Sequence, residues 1–439
     1  MGNEETRNVE TFNMTEYKFN KKTGKWEEHN KYYKMTKNPD GKTFTTEWGR
    51  VGCTRPQRKT DNDISDWDKT IEKRLSPSHG YKRTTDLQED LFVEVPVDEE
   101  EDTSDMVYAP IQDPDVAAIV QYLTGLSTSN VRQNYQTKTI GSVTKAMVEE
   151  AQKAIDRLAE ISNDYSLQDQ EDDVAAAEAV RIFNEQLKEL FMILPRKMKV
   201  ANNIAYATKE FSEIIDREQV LLNNMRCHVV EKKSSTSGKK TAKNAKPKKK
   251  TILEQNGIEM RGVTPSEEEQ IKDILGRNAS LYKNAWSVKN LSTEARFSDF
   301  VKKNGITEIK HLIHGTGDKN VWPISVFGLT IRPANMATNG SNLGRGNYFA
   351  NDSAKSLQYA YGGRTFLLIM KVAYGKPHDE YDWSYGLMNL DHDSFKRRYP
   401  GCDVMHAHSG RRFWYDEIVA YEDERSTIEF IVEMKNRRW

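Results

Sequence analysis

Hydrophobic residues change their spacing twice along this chain, and each change marks a change of expected architecture. In the first stretch, Tyr32-Tyr33-Lys34-Met35 and Thr43-Phe44-Thr45-Thr46 flank Asn38-Pro39-Asp40-Gly41. Proline presets the second turn position and glycine closes the turn, so this spacing predicts a hairpin. Trp67, Ile71 and Leu75 then follow at helical spacing, and residues 10–95 read as mostly β with one helix. From 112 to 226 the apolar period becomes helical. Val143, Met147, Ala151, Ala154, Leu158 and Ile161 fall on one face, with Ser142 placed to cap it. Val180, Phe183, Leu187, Leu190, Phe191 and Leu194 form a second face, which Pro195 stops. Ile204, Phe211, Ile214 and Ile215 suggest a third. These are ordinary core stripes of a helical bundle. From about 252 short strands return. Thr365 to Val372 is a near-continuous apolar run and reads as a buried strand, whereas Ile428, Phe430, Val432 and Met434 alternate, as in a strand with one covered face. The chain is thus expected to be multidomain α+β. It should have a small mostly-β domain, an all-α helical bundle, and a mixed α/β domain built on two packed sheets.

Composition narrows this picture only in places. A chain of 439 residues should form about two to four domains. The net charge of −1 hides local asymmetry. Residues 232–250 carry nine lysines and no acid, and such a segment cannot bury a core. It reads as a solvated tether, a phosphate-binding tail or a nuclear localisation signal. The acidic run from Asp98 to Asp102 reads as a solvated linker. Cys53, Cys227 and Cys402 stand far apart, with neither disulfide-framework nor metal-ligand spacing, which fits a reduced intracellular compartment. No apolar run approaches membrane-spanning length and the first residues hold no apolar signal region, so the protein is expected to be neither membrane-spanning nor secreted. Met1-Gly2-Asn3-Glu4-Glu5-Thr6 also matches the loose myristoylation pattern.

Candidate chemistry lies in the last third. His314-Gly315-Thr316, the block Gly344-Arg345-Gly346-Asn347-Tyr348-Phe349-Ala350, the pair Ser356 and Tyr359, and Glu417 each border a short strand-like run. Taken singly they are ordinary: a surface histidine, a turn, a glutamate on a solvated strand face. In this order they supply the parts to hold a dinucleotide by its amide and ribose ends and to stabilise a sugar cation. Cleaving a nicotinamide–ribose bond generates an oxocarbenium-like centre. An enzyme must orient the leaving group, grip both riboses and place an anion near the developing charge. Glu417 suits that last role.

From about Leu312 to Phe430 these residues resemble the catalytic domain of the poly(ADP-ribose) polymerases, ADP-ribosyltransferases with a His-Tyr-Glu signature. Gly344 to Ala350 fits the family's G-[KR]-G-x-Y-F-A block, and Tyr415-Asp416-Glu417-Ile418-Val419 its glutamate strand. The resemblance implies that His314, Tyr348 and Glu417 are catalytic. His314 would hold the adenosine ribose, and the Gly315 backbone would pair with the carboxamide beside Thr316. Ser356 would donate to the same amide, and Tyr348 and Tyr359 would sandwich the nicotinamide ring. Lys355 either assists the reaction or is a solvated lysine beside the site. Ser341 stands where many members carry a tyrosine over the ligand, and Asn342 occupies the position facing the acceptor.

Independently, Thr46-Glu47-Trp48-Gly49-Arg50-Val51-Gly52 carries the signature of the WGR domain. Trp48 and Arg50 then imply contact with DNA ends, an indole stacking and a guanidinium meeting phosphate. The implied organisation is a DNA-binding WGR domain at 5–95, a helical autoinhibitory domain at 105–228, a lysine-rich linker at 229–251 and a transferase domain at 252–439. The implied function is DNA-dependent transfer of ADP-ribose from NAD+, as substrate and without a metal, to protein acceptors including the chain itself. DNA ends or nicks are the implied partners. The location is nuclear if the source is eukaryotic and cytoplasmic otherwise. A strict mono-transferase, an NAD glycohydrolase and a catalytically weak DNA-end scaffold are the alternatives.

Overall fold

The turn at Asn38-Pro39-Asp40-Gly41 forms as its residues dictate, with the Gly41 amide donating to the Asn38 carbonyl at 3.1 Å. It joins two antiparallel strands of a computed structural model that describes residues 7–22, 25–51, 53, 55–88, 108–135, 143–166, 173–196, 203–227, 229, 249–331, 342–410 and 412–435. Strand β1 (Val9–Asn20) precedes β2 (Lys25–Lys37) and β3 (Thr43–Arg50), and the sheet continues with β4 (Gln57–Asp63) and β5 (Lys82–Arg83). Its order is β4-β3-β2-β1-β5, antiparallel throughout. Helix α1 (Trp67–Leu75) drops Trp67 onto one face, where it packs with Phe12, Tyr33, Met35 and Phe44.

The other face of this sheet is polar yet partly buried. Thr11, Asn13 and Thr15 share one side of β1, because strand side chains alternate. Among the described residues the helices α2 (Pro114–Asn134), α3 (Lys145–Ser166), α4 (Asp173–Ile193) and α5 (Phe211–Arg226) follow. The amide of Asn13 donates to the Met192 carbonyl at 2.9 Å, and that of Asn30 to the Arg196 carbonyl at 3.1 Å. The end of α4 therefore seats on the sheet through hydrogen bonds to carbonyls that the helix cannot satisfy itself. Phe183 and Phe211 stack with centroids 4.0 Å apart, and Gln152 and Gln219 exchange amide hydrogen bonds.

By contacts among the described residues, Met1–Asp105 and Asn130–Lys233 form one compact unit, and Met106–Ser129 with Ser234–Trp439 form the other. The helices thus do not cluster as a unit of their own. Most of α2, a helix that none of the three expected stripes named, goes with the second unit, and α3 to α5 go with the sheet. The expected cap Ser142, the acidic run 98–102, Ser341 and nearly all of the lysine tract lie outside the described residues. Thr144 caps α3, its hydroxyl accepting from the Met147 amide at 3.1 Å and donating to the Leu87 carbonyl.

The second unit continues through α6 (Ile252–Gln255), β6 (Ile258–Gly262), α7 (Pro265–Leu275), β7 (Tyr282–Asn290), α8 (Leu291–Asn304), β8 (Ile309–Gly315) and α9 (Asp318–Phe327). Next come β9 (Asn347–Phe349), α10 (Ser353–Leu357), β10 (Thr365–Ala373), β11 (Pro377–Glu380), α11 (Tyr385–Met388) and α12 (His392–Arg398). The chain closes with β12 (Val404–Ala407), β13 (Glu417–Ala420) and β14 (Ser426–Met434). One sheet has the order β6-β7-β14-β10-β8 and the other β11-β12-β13-β9, joined where Ile313 bridges Ala350. The run 365–372 is a buried central strand, as its apolar character predicted. Strand β14 differs from expectation, because both its faces are covered. Phe430, Val432 and Met434 pack with Ile271 and Leu275 of α7. On the opposite face Ile431 is buried, and Glu433 is buried but satisfied by Arg364 and Lys283. Among the described residues no helix is long and apolar enough to cross a membrane.

Thr144 closes a helix end and also ties α3 to Leu87. Thr144→Ala is expected to lower the unfolding free energy by about 1 kcal/mol, the usual cost of a lost cap. Urea denaturation should show a lower midpoint at unchanged m-value; an unchanged midpoint would remove the cap from this account.

Candidate active site

Glu417 is the first residue of β13 and is buried, not on the solvated face that an isolated strand glutamate usually takes. Tyr415 and Asp416 precede the strand. A buried carboxylate needs a partner. Lys355 supplies it, with Nζ 2.8 Å from Glu417 Oε1. Burial pulls the lysine ammonium down, but its bond to Glu417 outweighs this and holds it above its ordinary value. Lys355 is therefore a partner of the glutamate and not a solvated neighbour.

Lys355 and Ser356 sit on α10, where a short strand edge was expected. The helix starts at Asp352, whose side chain accepts from the Ala354 amide, and Asn278 fixes Ser353 at 2.9 Å. Ser356 is buried and its hydroxyl donates to the Ile313 carbonyl at 3.0 Å. That bond draws α10 against β8. A side chain on Gly315 would place its Cβ 1.9 Å from the Ser356 carbonyl oxygen, so only glycine permits this approach. Tyr359 follows the helix, part exposed, its ring centroid 5.2 Å from Lys355 Nζ.

His314 stands next to that contact. Its Nδ1 lies 2.9 Å from the Tyr348 carbonyl oxygen, which ties β8 to β9. Burial holds the imidazole below its ordinary value, against the pull of that carbonyl, so the ring is neutral near pH 7 and donates from Nδ1. Tyr348 lies opposite Val419 in the β9–β13 pair. Its hydroxyl donates to the Gly344 carbonyl at 2.7 Å and accepts from the Leu343 amide at 3.1 Å. Gly344 has φ +89°, and a Cβ there would meet the Leu390 carbonyl oxygen at 2.2 Å. The glycine block is thus folded tightly under Tyr348. Trp383 donates its indole N–H to the Asn342 carbonyl. Thr316 is buried, and its hydroxyl accepts from Asn320 at 3.0 Å.

The structure therefore brings His314, Gly315, Tyr348, Lys355, Ser356 and Glu417 together on β8, β9, α10 and β13. Two supports escaped sequence reasoning. Asp416 accepts from the Ser409 amide, Asn351 and His406. Burial opposes its charge, but these bonds outweigh it and hold the carboxyl well below the usual range. Asn351 adjoins Ala350, so the network binds the glutamate strand to the β8–β9 junction. The other support is Asp318, buried two residues beyond Thr316. It accepts from the Gly363 amide at 2.7 Å and from the Tyr122 hydroxyl of α2 at 2.9 Å. Burial and Asp318 push the Tyr122 phenol up to about 12, and the Arg364 guanidinium lies 4.6 Å from its ring centre. Asp318 and Tyr122 carry no local motif, and only their meeting marks them.

In the first unit Trp48 and Arg50 lie at the end of β3. Trp48 stacks on Tyr33, with centroids 6.0 Å apart, and joins the apolar cluster. Arg50 is exposed and lies 2.9 Å from His29 Nδ1. Burial, then the nearby Arg50 charge, hold His29 below its ordinary value.

Residues 266–436 match the family described as the Poly(ADP-ribose) polymerase catalytic domain, and residues 15–75 match the WGR domain. Comparison with curated proteins gives no match. The chain carries a poly(ADP-ribose) polymerase catalytic domain together with a WGR domain, and is an NAD+ ADP-ribosyltransferase enzyme. All the catalytic candidates fall inside the first matched range, and Trp48 and Arg50 inside the second.

Gly315→Ala forces α10 away from β8 and displaces Ser356 and Lys355. Affinity for NAD+ should fall tenfold or more, measured by equilibrium dialysis on protein whose thermal midpoint shows that it is folded. Unchanged affinity would mean that the β8–α10 contact does not shape the NAD+ site.

Proposed function

We propose that this enzyme transfers ADP-ribose from NAD+ to protein side chains and onto itself in response to DNA breaks, and extends the product into a polymer. The observation that carries the transfer chemistry is the buried Glu417, fixed by Lys355 and set on the strand beside Tyr348. In this reading His314 grips the adenosine ribose. The Gly315 backbone and Ser356 hold the carboxamide, while Tyr348 and Tyr359 flank the nicotinamide ring. As the glycosidic bond breaks, positive charge grows on the nicotinamide ribose. The Glu417 carboxylate stabilises it, hydrogen-bonds a ribose hydroxyl and polarises the incoming acceptor. Lys355 holds that carboxylate in place.

The WGR domain supports recognition of DNA ends, with the exposed Arg50 guanidinium suited to phosphate. Regulation by the helical segment is supported by α2. Its Tyr122 is bonded to Asp318, at the start of the helix that follows His314-Gly315-Thr316, so α2 restrains the segment bordering the NAD+ site. Engagement of DNA would release it.

Glu417→Gln keeps the side chain's shape and removes the anion. Protein-linked label from radiolabelled NAD+ should fall at least a hundredfold while NAD+ affinity changes little. Gel analysis with and without broken DNA tests the rest. A ladder seen only with DNA supports the polymerase reading, and a single shifted band supports a mono-transferase. Free ADP-ribose without a protein band marks a glycohydrolase. Full activity in the variant would overturn the role of Glu417.

Arg50→Ala should weaken activation by DNA ends even at saturating DNA. Neutralising the lysines of 232–250 should mainly raise the DNA concentration required, and less so as salt increases, because lysine ammonium groups contact phosphate as point charges. Normal activation of the Arg50 variant, with none in the lysine-neutralised protein, would move the sensor from the WGR domain to the tract.

A further inference from the structure

Outside the transfer site, β12 carries His406 and, just beyond its end, His408. Residues two apart on an extended segment point to the same side. Asp379 of β11 is the direct parallel partner of His406. Two neighbouring strands thus deliver two imidazoles and a carboxylate to one place, with one donor atom from each lying within 4.8 Å of the others. Asp379 Oδ1 is 2.7 Å from His408 Nε2, and the two imidazole rings lie 4.0 Å apart.

The surroundings have the form of a built site. Asp416 Oδ2 lies 3.2 Å from His406 Nε2, which leaves Nδ1 to take an ion in place of the Tyr374 hydroxyl that now sits 2.6 Å from it. The Tyr381 ring stacks on His408 with centroids 4.7 Å apart. A carboxylate behind a histidine is the usual outer support of a ligating imidazole, since it fixes the ring and raises its basicity. Imidazole donors select transition ions over Mg2+ and Ca2+, which prefer oxygen ligands. Asp379 and His408 have no part in the transfer chemistry proposed above.

We propose that Asp379, His406 and His408 bind one divalent transition ion of the zinc class, three protein ligands with a fourth position left to water. Tetrahedral zinc with bonds of about 2.1 Å holds neighbouring donors about 3.4 Å apart, so binding opens the Asp379–His408 contact of 2.7 Å and seats His406 at the same spacing from both. The movement reaches the transfer site by a short route. His406 lies opposite Ile418 in the β12–β13 pair, and its partner Asp416 directly precedes Glu417. Occupancy therefore adjusts the strand end that presents the glutamate, and zinc acts as a modulator and not as a participant in the reaction.

The test uses the full chain, stripped by chelator and titrated with ZnCl2 against a chromogenic chelator. Wild type should bind one equivalent, and zinc should raise its thermal midpoint. Asp379→Asn and His408→Ala should each weaken binding tenfold or more, and Asp416→Asn, which removes only the outer support, about tenfold. Replacing Cys53, Cys227 and Cys402 together by serine should leave the equivalent in place. If His408→Ala does not fold, the isosteric Asp379→Asn decides alone. Failure of wild type to take up zinc at equimolar concentration, or uptake by Asp379→Asn equal to wild type, overturns the proposal. Since binding is read directly, its failure is separate from any failure of the transferase reading.

Discussion

The ion pair between Lys355 and Glu417 is the constraint around which the C-terminal unit is arranged. A carboxylate at the depth of Glu417 has lost its water and needs a partner, and a cation is delivered beside it. Delivering Lys355 fixes α10, and α10 can lie there only because Gly315 lets the Ser356 carbonyl approach within the space a side chain would fill. The Ser356 hydroxyl then fastens α10 to Ile313 at the end of the same strand. Removing either partner of such a pair typically costs about 3–5 kcal/mol, because the other charge is left buried and alone. The glutamate is thus costly to hold, and the surrounding bonds exist to hold it.

A second set of contacts fixes the opposite wall. The Tyr348 hydroxyl bonds the Leu343 amide and the Gly344 carbonyl just before it in the chain, and His314 bonds the Tyr348 carbonyl. The tyrosine therefore orders its own loop and meets the histidine strand at the same time. Backbone of the glycine block passes so close to Leu390 and Ala420 that side chains at Gly344 and Gly346 have no room. The glycine block and β8, distant in sequence, are locked by tyrosine and histidine bonds to main-chain atoms, which gives a site whose geometry is set before a ligand arrives.

Asp318 adds a connection of another kind. It is buried at the start of α9 and receives bonds both from the loop after Tyr361 and from Tyr122 on α2. A helix from the middle of the chain is thereby coupled to the segment beside the histidine. This is the physical basis for the proposed restraint. The first unit shows the same economy, as Asn13 and Asn30 of the sheet satisfy carbonyls at the end of α4. In each case a polar side chain closes a backbone bond that packing alone would leave open.

What the sequence determined by itself was local and periodic. The Pro-Asp-Gly turn, the α1 stripe, the two helical faces around Leu158 and Leu187 and the buried run 365–372 could all be read, because backbone geometry and one-sided burial imprint a period on the residues. The ordered set His314, Tyr348 and Glu417 was singled out too, through its resemblance to a family signature, and it lies inside the matched range 266–436. Tertiary structure alone decided which cation meets Glu417 and that β14 is covered on both faces. It alone assigned most of α2 to the C-terminal unit and α3 to α5 to the unit of the first sheet. Those outcomes depend on partners far apart in the chain. Asp318, Asn13 and Asp416 look like ordinary surface residues until a donor arrives from elsewhere, so no local pattern could have recorded them.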